Sequence, residues 1–222
     1  MTRKEQSEAI LRTHHIKINP NLPELGKTEI KSPEVLLRRA LTALLTAQVA
    51  IDAAEDNEVV ASALFFQGIL RRFGLEQELT PDEAKFFAPA SPPFEPIPQR
   101  DAVQMTWRIE MCMPLFWACG LIPGELNYPD TVADCTELIG RINECKDFDA
   151  LMQLVVMRPA NEILDHADLI YRMDWACVDA LIKNEPVSGG LLHDIVVERH
   201  RGFNWMISAY DAENWDDVKA HT

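Results

Sequence analysis

The segment "ERHRGFNW" places an acid, two cations, an imidazole and an amide within two helical turns: Glu198, Arg199, His200, Arg201 and Asn204. Residue types of this kind can shuttle a proton or hold an anion, provided they share a surface. At ~100° per residue the apolar stripe of the segment runs through Ile195, Val196, Phe203, Met206, Ile207 and Tyr210, and Arg199 falls inside it. A guanidinium on a core face needs a partner, because an unpaired buried charge costs on the order of 3–5 kcal/mol. His200 lies at the edge of the stripe, where a histidine is more often a hydrogen-bonded packing residue than a catalyst.

Three other charges break apolar patterning in the same way. Arg108 and Glu110 are the only formal charges between Asp101 and Glu125, in "TWRIEMCMPLFWACGL", and they point to nearly opposite sides of a helix that is apolar all round. Asp174 sits in the apolar stripe of "NEILDHADLIYRMDWACVDALI" with Ile163, Ala167, Ile170, Tyr171, Val178 and Leu181. Asp165, Asp168, Arg172, Asp179 and Lys183 read as its solvent face, with Asp168 and Arg172 an i, i+4 pair. Antiparallel packing of consecutive helices would set Asp174 or Glu110 against Arg199. The set Arg108, Glu110, Asp174, Glu198, Arg199, His200 and Asn204 is therefore either a register-fixing ion network or the floor of a pocket.

Glu162 and His166 also share a helix face, but neither a Glu-x-x-His nor a His-Glu-x-x-His spacing accompanies them, so the sequence points to no metal and no cofactor. No glycine-rich phosphate loop or nucleophile elbow is present, and Ser188-Gly189-Gly190 reads as an ordinary turn.

Helices must position these groups, since helical periodicity and caps account for almost every segment while strand-like alternation is missing. The expectation is an all-α, single globular multi-helix domain covering 1–222. Three long rear segments, about 100–121, 159–184 and 193–210, pack around a buried central helix, the first of the three, in which Pro114 predicts a kink. In the front half, "KEQSEAILRTH" forms a first helix, ended by Pro20 and Pro23. Ser32-Pro33-Glu34 caps a second that runs to about Ile51. Gly74 stops a third, and Thr80 to Glu83 is a capping box. The stretch 88–98 has five prolines in eleven residues and reads as a loop strapped across one domain, with a domain boundary as the other reading.

With 47% hydrophobic residues the chain can build a substantial core, and 21 Lys and Arg against 35 Asp and Glu give a net charge of −14, which repels nucleic acid and suits a basic protein partner. The charged N-terminus predicts no signal peptide, and no run of about 18 apolar residues predicts a membrane span. Five cysteines without a C-x-x-C pair read as reduced core thiols of a cytoplasmic protein.

Seven segments, from "KEQSEAILRTHHIKINPNLPEL" through "TWRIEMCMPLFWACGLI" and "VVERHRGFNWMI" to "NWDDVKAHT", resemble in order a bacterial family catalogued as domain of unknown function 4272. Trp107-Arg108-x-Glu110, Tyr171-Arg172-x-x-Trp175-Ala176, Glu198-Arg199-His200 and Asn204-Trp205 carry the resemblance. It implies one full-length domain and no assigned activity. The family pattern often has histidine before the helix tryptophan where this chain has Asp174, which makes Glu110 the stronger partner for Arg199. Two functions compete: a protein-binding or regulatory module, for example of immunity type, acting through an acidic surface, and a hydrolase or small-ligand enzyme with a site lined by Arg108, Glu110, Arg199 and His200.

Overall fold

The structure is a computed structural model that describes residues 1–88, 96–209 and 213–222. Among these residues it is helical, with no strand: α1 (Arg3–Thr13), α2 (Pro33–Ala54), α3 (Val59–Phe73), α4 (Pro81–Phe87), α5 (Gln99–Thr106), α6 (Arg108–Ala118), α7 (Thr136–Glu144), α8 (Phe148–Met152), α9 (Ala160–Lys183) and α10 (His193–Met206). The predicted punctuation is in place. Ser32 accepts from the Val35 amide at the start of α2, Gly74 ends α3 in the left-handed region, and Thr80 and Glu83 cap each other at α4. Most of the proline-rich stretch lies outside the described residues; α4 ends at Phe87, and 96–98 lead into α5.

Two long stretches of the chain are central. In α6 every residue from Glu110 to Ala118 is buried. Helix α2 is as deeply buried, with Leu36, Leu37, Leu41 and Leu44 at 1% exposure or less. The reading of 100–121 as one helix needs correction: the helix divides at Trp107, upstream of Pro114, giving α5 and α6. Helix α2 packs on α3, α4, α5 and α6; α6 continues to α10, α10 to α9, and α9 to α1. Front and rear therefore share one apolar core.

Helices α6 and α10 come unusually close at Gly202, where a Cβ would lie 2.2 Å from the Met111 carbonyl oxygen and 3.3 Å from Pro114 Cγ. Only a residue without a side chain fits there. The Ser188–Gly190 turn docks on the far end of the rear layer, with Ser188 Oγ accepting from the Lys17 amide at 3.0 Å and the Gly189 carbonyl from Tyr128 Oη at 2.7 Å. Gly189 needs its positive φ of 72°, and a side chain there would strike Ile16.

Candidate functional site

Arg199, on the α10 face turned toward α6, meets Glu110: Nε donates to Oε2 at 2.9 Å, and both side chains are at most 2% exposed. The second Glu110 oxygen accepts from the Ala133 amide at 2.6 Å. Arg199 spends its other edge on Asn127, donating to the backbone oxygen at 2.5 Å and to Oδ1 at 2.8 Å. The pair thus ties α6 and α10 to the loop that follows α6, and both Glu110 oxygens are satisfied, the condition under which a buried ion pair is tolerated.

Asp174 does not pair with Arg199. It accepts from His200, Nδ1 to Oδ2 at 2.8 Å, with His193 Nε2 3.8 Å from its other oxygen. With Asp174 as the acceptor, the His200 proton of this contact sits on Nδ1. His200 and Asn204, with Tyr171 and Glu24, border a small cavity of about 130 Å³. One helical step round, Glu198 pairs with Arg201. Burial pushes the Glu198 carboxyl above its ordinary range, against the opposing pull of Arg201 and Arg108. Arg108 itself donates to Met111 Sδ at 2.7 Å and lies 6.0 Å from the Trp215 ring. The candidate residues fall into three groups on different faces of α10: Glu110 with Arg199; Asp174 with His200, beside Asn204; and Glu198 with Arg201, near Arg108.

Two more charge pairs are buried: Asp168 with Arg172, expected as an i, i+4 pair but in water, and Arg39 with Glu83, which the sequence reading did not single out. Asp168 and Arg172, taken for solvent face, are 0% and 2% exposed. The segment that Pro20 and Pro23 hold extended covers them, and Asp168 accepts from the Leu25 amide while Arg172 donates to the Pro23 carbonyl. Arg39 of α2 pairs with Glu83 inside the core, and its guanidinium lies 5.3 Å from the Trp215 ring. The signal for Arg39 was its place among the leucines of "VLLRRALTALL". For Asp168 no signal existed, because the covering segment has no periodicity of its own.

Arg199 also borders an open cavity of about 600 Å³ lined by α1, α9, α10 and residues 125–129. Glu162 and His166, four residues apart on one helix face, both line it but separate in their bonding: Glu162 takes Arg158 at 2.5 Å, and His166 Nε2 lies 2.6 Å from Glu125. No group of three or more potential metal-ligating side chains occurs among the described residues. The thiols are poor nucleophiles: burial pushes Cys119 and Cys177 up to about 12 and Cys135 up to about 11. No helix among the described residues is long and apolar enough to cross a membrane.

The outer surface of α3 is apolar over its first turns and ends in two exposed arginines, Arg71, which pairs with Glu76, and Arg72. Val60, Leu64 and Phe65 are 43%, 52% and 64% exposed, and with Ala61 and Gly68 they form one arc at helical spacing. The turn before α3 exposes Glu55, Asp56 and Glu58.

Fold and site define an all-helical protein with paired charges locked in its core, an open cavity in its rear layer and a front face that is apolar between an acidic turn and two arginines. The chain belongs to the family described as domain of unknown function (DUF4272), whose model matches residues 3–218. Comparison with curated proteins and with solved structures found no match.

Proposed function

We propose that this protein is a binding module for a basic protein partner, which docks on the outer face of α3. The observation that carries the reading is the exposed arc of Val60, Leu64 and Phe65 beside the acidic turn at Glu55, Asp56 and Glu58. A stripe of large apolar side chains left in water is costly for a monomer and marks a contact surface. The adjacent carboxylates select a partner with Lys or Arg at the rim of its own apolar patch, and the net charge of −14 steers it. Neutralising a basic protein in the manner of an immunity protein is the specific form this reading takes. The distribution of the seven candidate residues favours binding over hydrolysis, since Arg199 and His200 border different cavities.

The test is binding of a synthetic amphipathic helix with leucines on one face flanked by lysines, followed by fluorescence anisotropy, against the same helix flanked by glutamates. The lysine helix binds more tightly, weakens with salt, and loses roughly tenfold in affinity with Leu64→Asp or Phe65→Asp. Equal binding of the two helices, or binding unaffected by both substitutions, rules the reading out.

A further inference from the structure

We propose that the cavity lined by α1, α9, α10 and residues 125–129 is a binding site for a small organic cation, an ammonium or guanidinium group carried on an apolar body. At about 600 Å³ the cavity has the size of a small-molecule site. Its walls include Leu126, Leu169, Ile170, Met173 and Phe203, which take the apolar body. Carboxylates outnumber guanidinium groups three to one in its lining, which also holds His14 and His166. Glu125, Glu162 and Asp165 all line the cavity, whereas Arg158 and Arg3, which pair with Glu162 and Asp165, do not. Glu125 pairs with His166, whose ring is a cation only when protonated. The one guanidinium in the lining, Arg199, is already matched by Glu110 and held by Asn127. A carboxylate or phosphate ligand would meet three acids and no uncommitted cation. An ammonium would meet three acids, each paired through one oxygen and keeping the other for a ligand, and a lining that includes the aromatic rings of Phe203 and of Tyr128, one face of which is stacked on His14. Ser7 adds a hydroxyl to the same wall, in a residue 2% exposed. This site is independent of the α3 face, and either reading can fail without the other.

The matched probes are 3-phenylpropylamine and 3-phenylpropionate, which share a body and differ in the sign of the head, titrated into the full chain by calorimetry. The amine binds at least roughly tenfold more tightly than the carboxylate, and Glu125→Gln combined with Asp165→Asn removes that preference. Both positions are partly exposed, with side chains at 72% and 38%, so the variant keeps its fold, which its melting temperature checks. Ile10→Trp, at a rim residue 41% exposed, blocks the cavity and abolishes binding of the amine, while Glu144→Gln, at an exposed position outside the lining, leaves it unchanged. Equal affinity for the two probes, no binding of either at millimolar concentration, or amine binding that survives Ile10→Trp would each overturn the proposal.

Discussion

Arg199 and Glu110 lie 2.9 Å apart across the α6–α10 interface, both out of solvent, and each is bonded in addition to the loop that α6 leads into. The pair therefore holds three pieces of chain with one set of charges. Arg199→Ala strands the Glu110 carboxylate in the core and costs on the order of 3 kcal/mol or more. Arg199→Met costs less, because the methionine keeps packing that alanine loses. Adding Glu110→Gln to Arg199→Met recovers part of the loss by removing the stranded charge. Urea midpoints of the three variants check this, and equal small losses for alanine and methionine would show that the pair contributes little.

Gly202 and Gly140 make a contrasting pair. A Cβ at 202 has the Met111 carbonyl oxygen at 2.2 Å and its carbon at 3.2 Å, both backbone atoms that cannot swing aside. Gly202→Ala must push α10 off α6 and destabilises by about 1–3 kcal/mol. Gly140 lies inside α7 with nothing within 4 Å of an added Cβ. Gly140→Ala stabilises by roughly 0.5–1 kcal/mol through helix propensity. Opposite shifts in thermal midpoint are the expected readout.

What could be read from the sequence follows from range of interaction. The caps at Ser32, Thr80 and Gly74 act over three or four residues, and all three stand where their residue types predict. Arg199 as a core charge was legible because it breaks an apolar stripe, and Glu110 became the partner to prefer through the family resemblance, whose pattern often has histidine at the position of Asp174. Asp174 stood as the other candidate for Arg199 because periodicity gives the face of a helix and not the neighbour across it; His200, one residue further on α10, is the group that reaches Asp174. Asp168 and Arg172 were misread for a different reason. Their burial depends on an irregular segment more than a hundred residues away, and a polar stripe under such a cover looks the same as one in water. The cavity could not be read at all, since it is space between helices.

Glu198 makes stability depend on pH with a definite sign. Burial raises its carboxyl above the ordinary glutamate value of 4.5, more than Arg201 and Arg108 lower it. The proton is then bound more tightly in the folded state than in the unfolded one. Its stabilising contribution is complete below the unfolded value and is lost as pH rises through the folded one. Glu198→Gln keeps the shape and removes the titration. The variant gains on wild type as pH rises from about 4.5 to 7, and at pH 7 it is at least as stable. Denaturation midpoints across that window measure the difference, and a variant that loses ground with rising pH would contradict it.

Asp168 and Arg172 hold down the first residues of a segment that Arg3 also grips at the Leu25 carbonyl and that Thr28 and Lys31 tie to the end of α10. Asp168 Oδ1 accepts from the Leu25 amide at 2.9 Å, and Arg172 Nη2 donates to the Pro23 carbonyl at 2.8 Å while binding both Asp168 oxygens. Residues 23–31 have no helix of their own, and backbone of that kind opens first when its anchors are removed. Arg172→Ala leaves Asp168 as an unpaired buried carboxylate beside a released carbonyl, so the segment lifts to let water reach the acid. Leu25 amide exchange then accelerates and a protease cuts within 23–31, while exchange in the buried middle of α6 accelerates far less. Arg172→Lys keeps a charge but loses the two-pronged grip on Asp168 and falls between alanine and wild type. If α6 and Leu25 lose protection together in Arg172→Ala, the pair supports the whole core and not this strap alone.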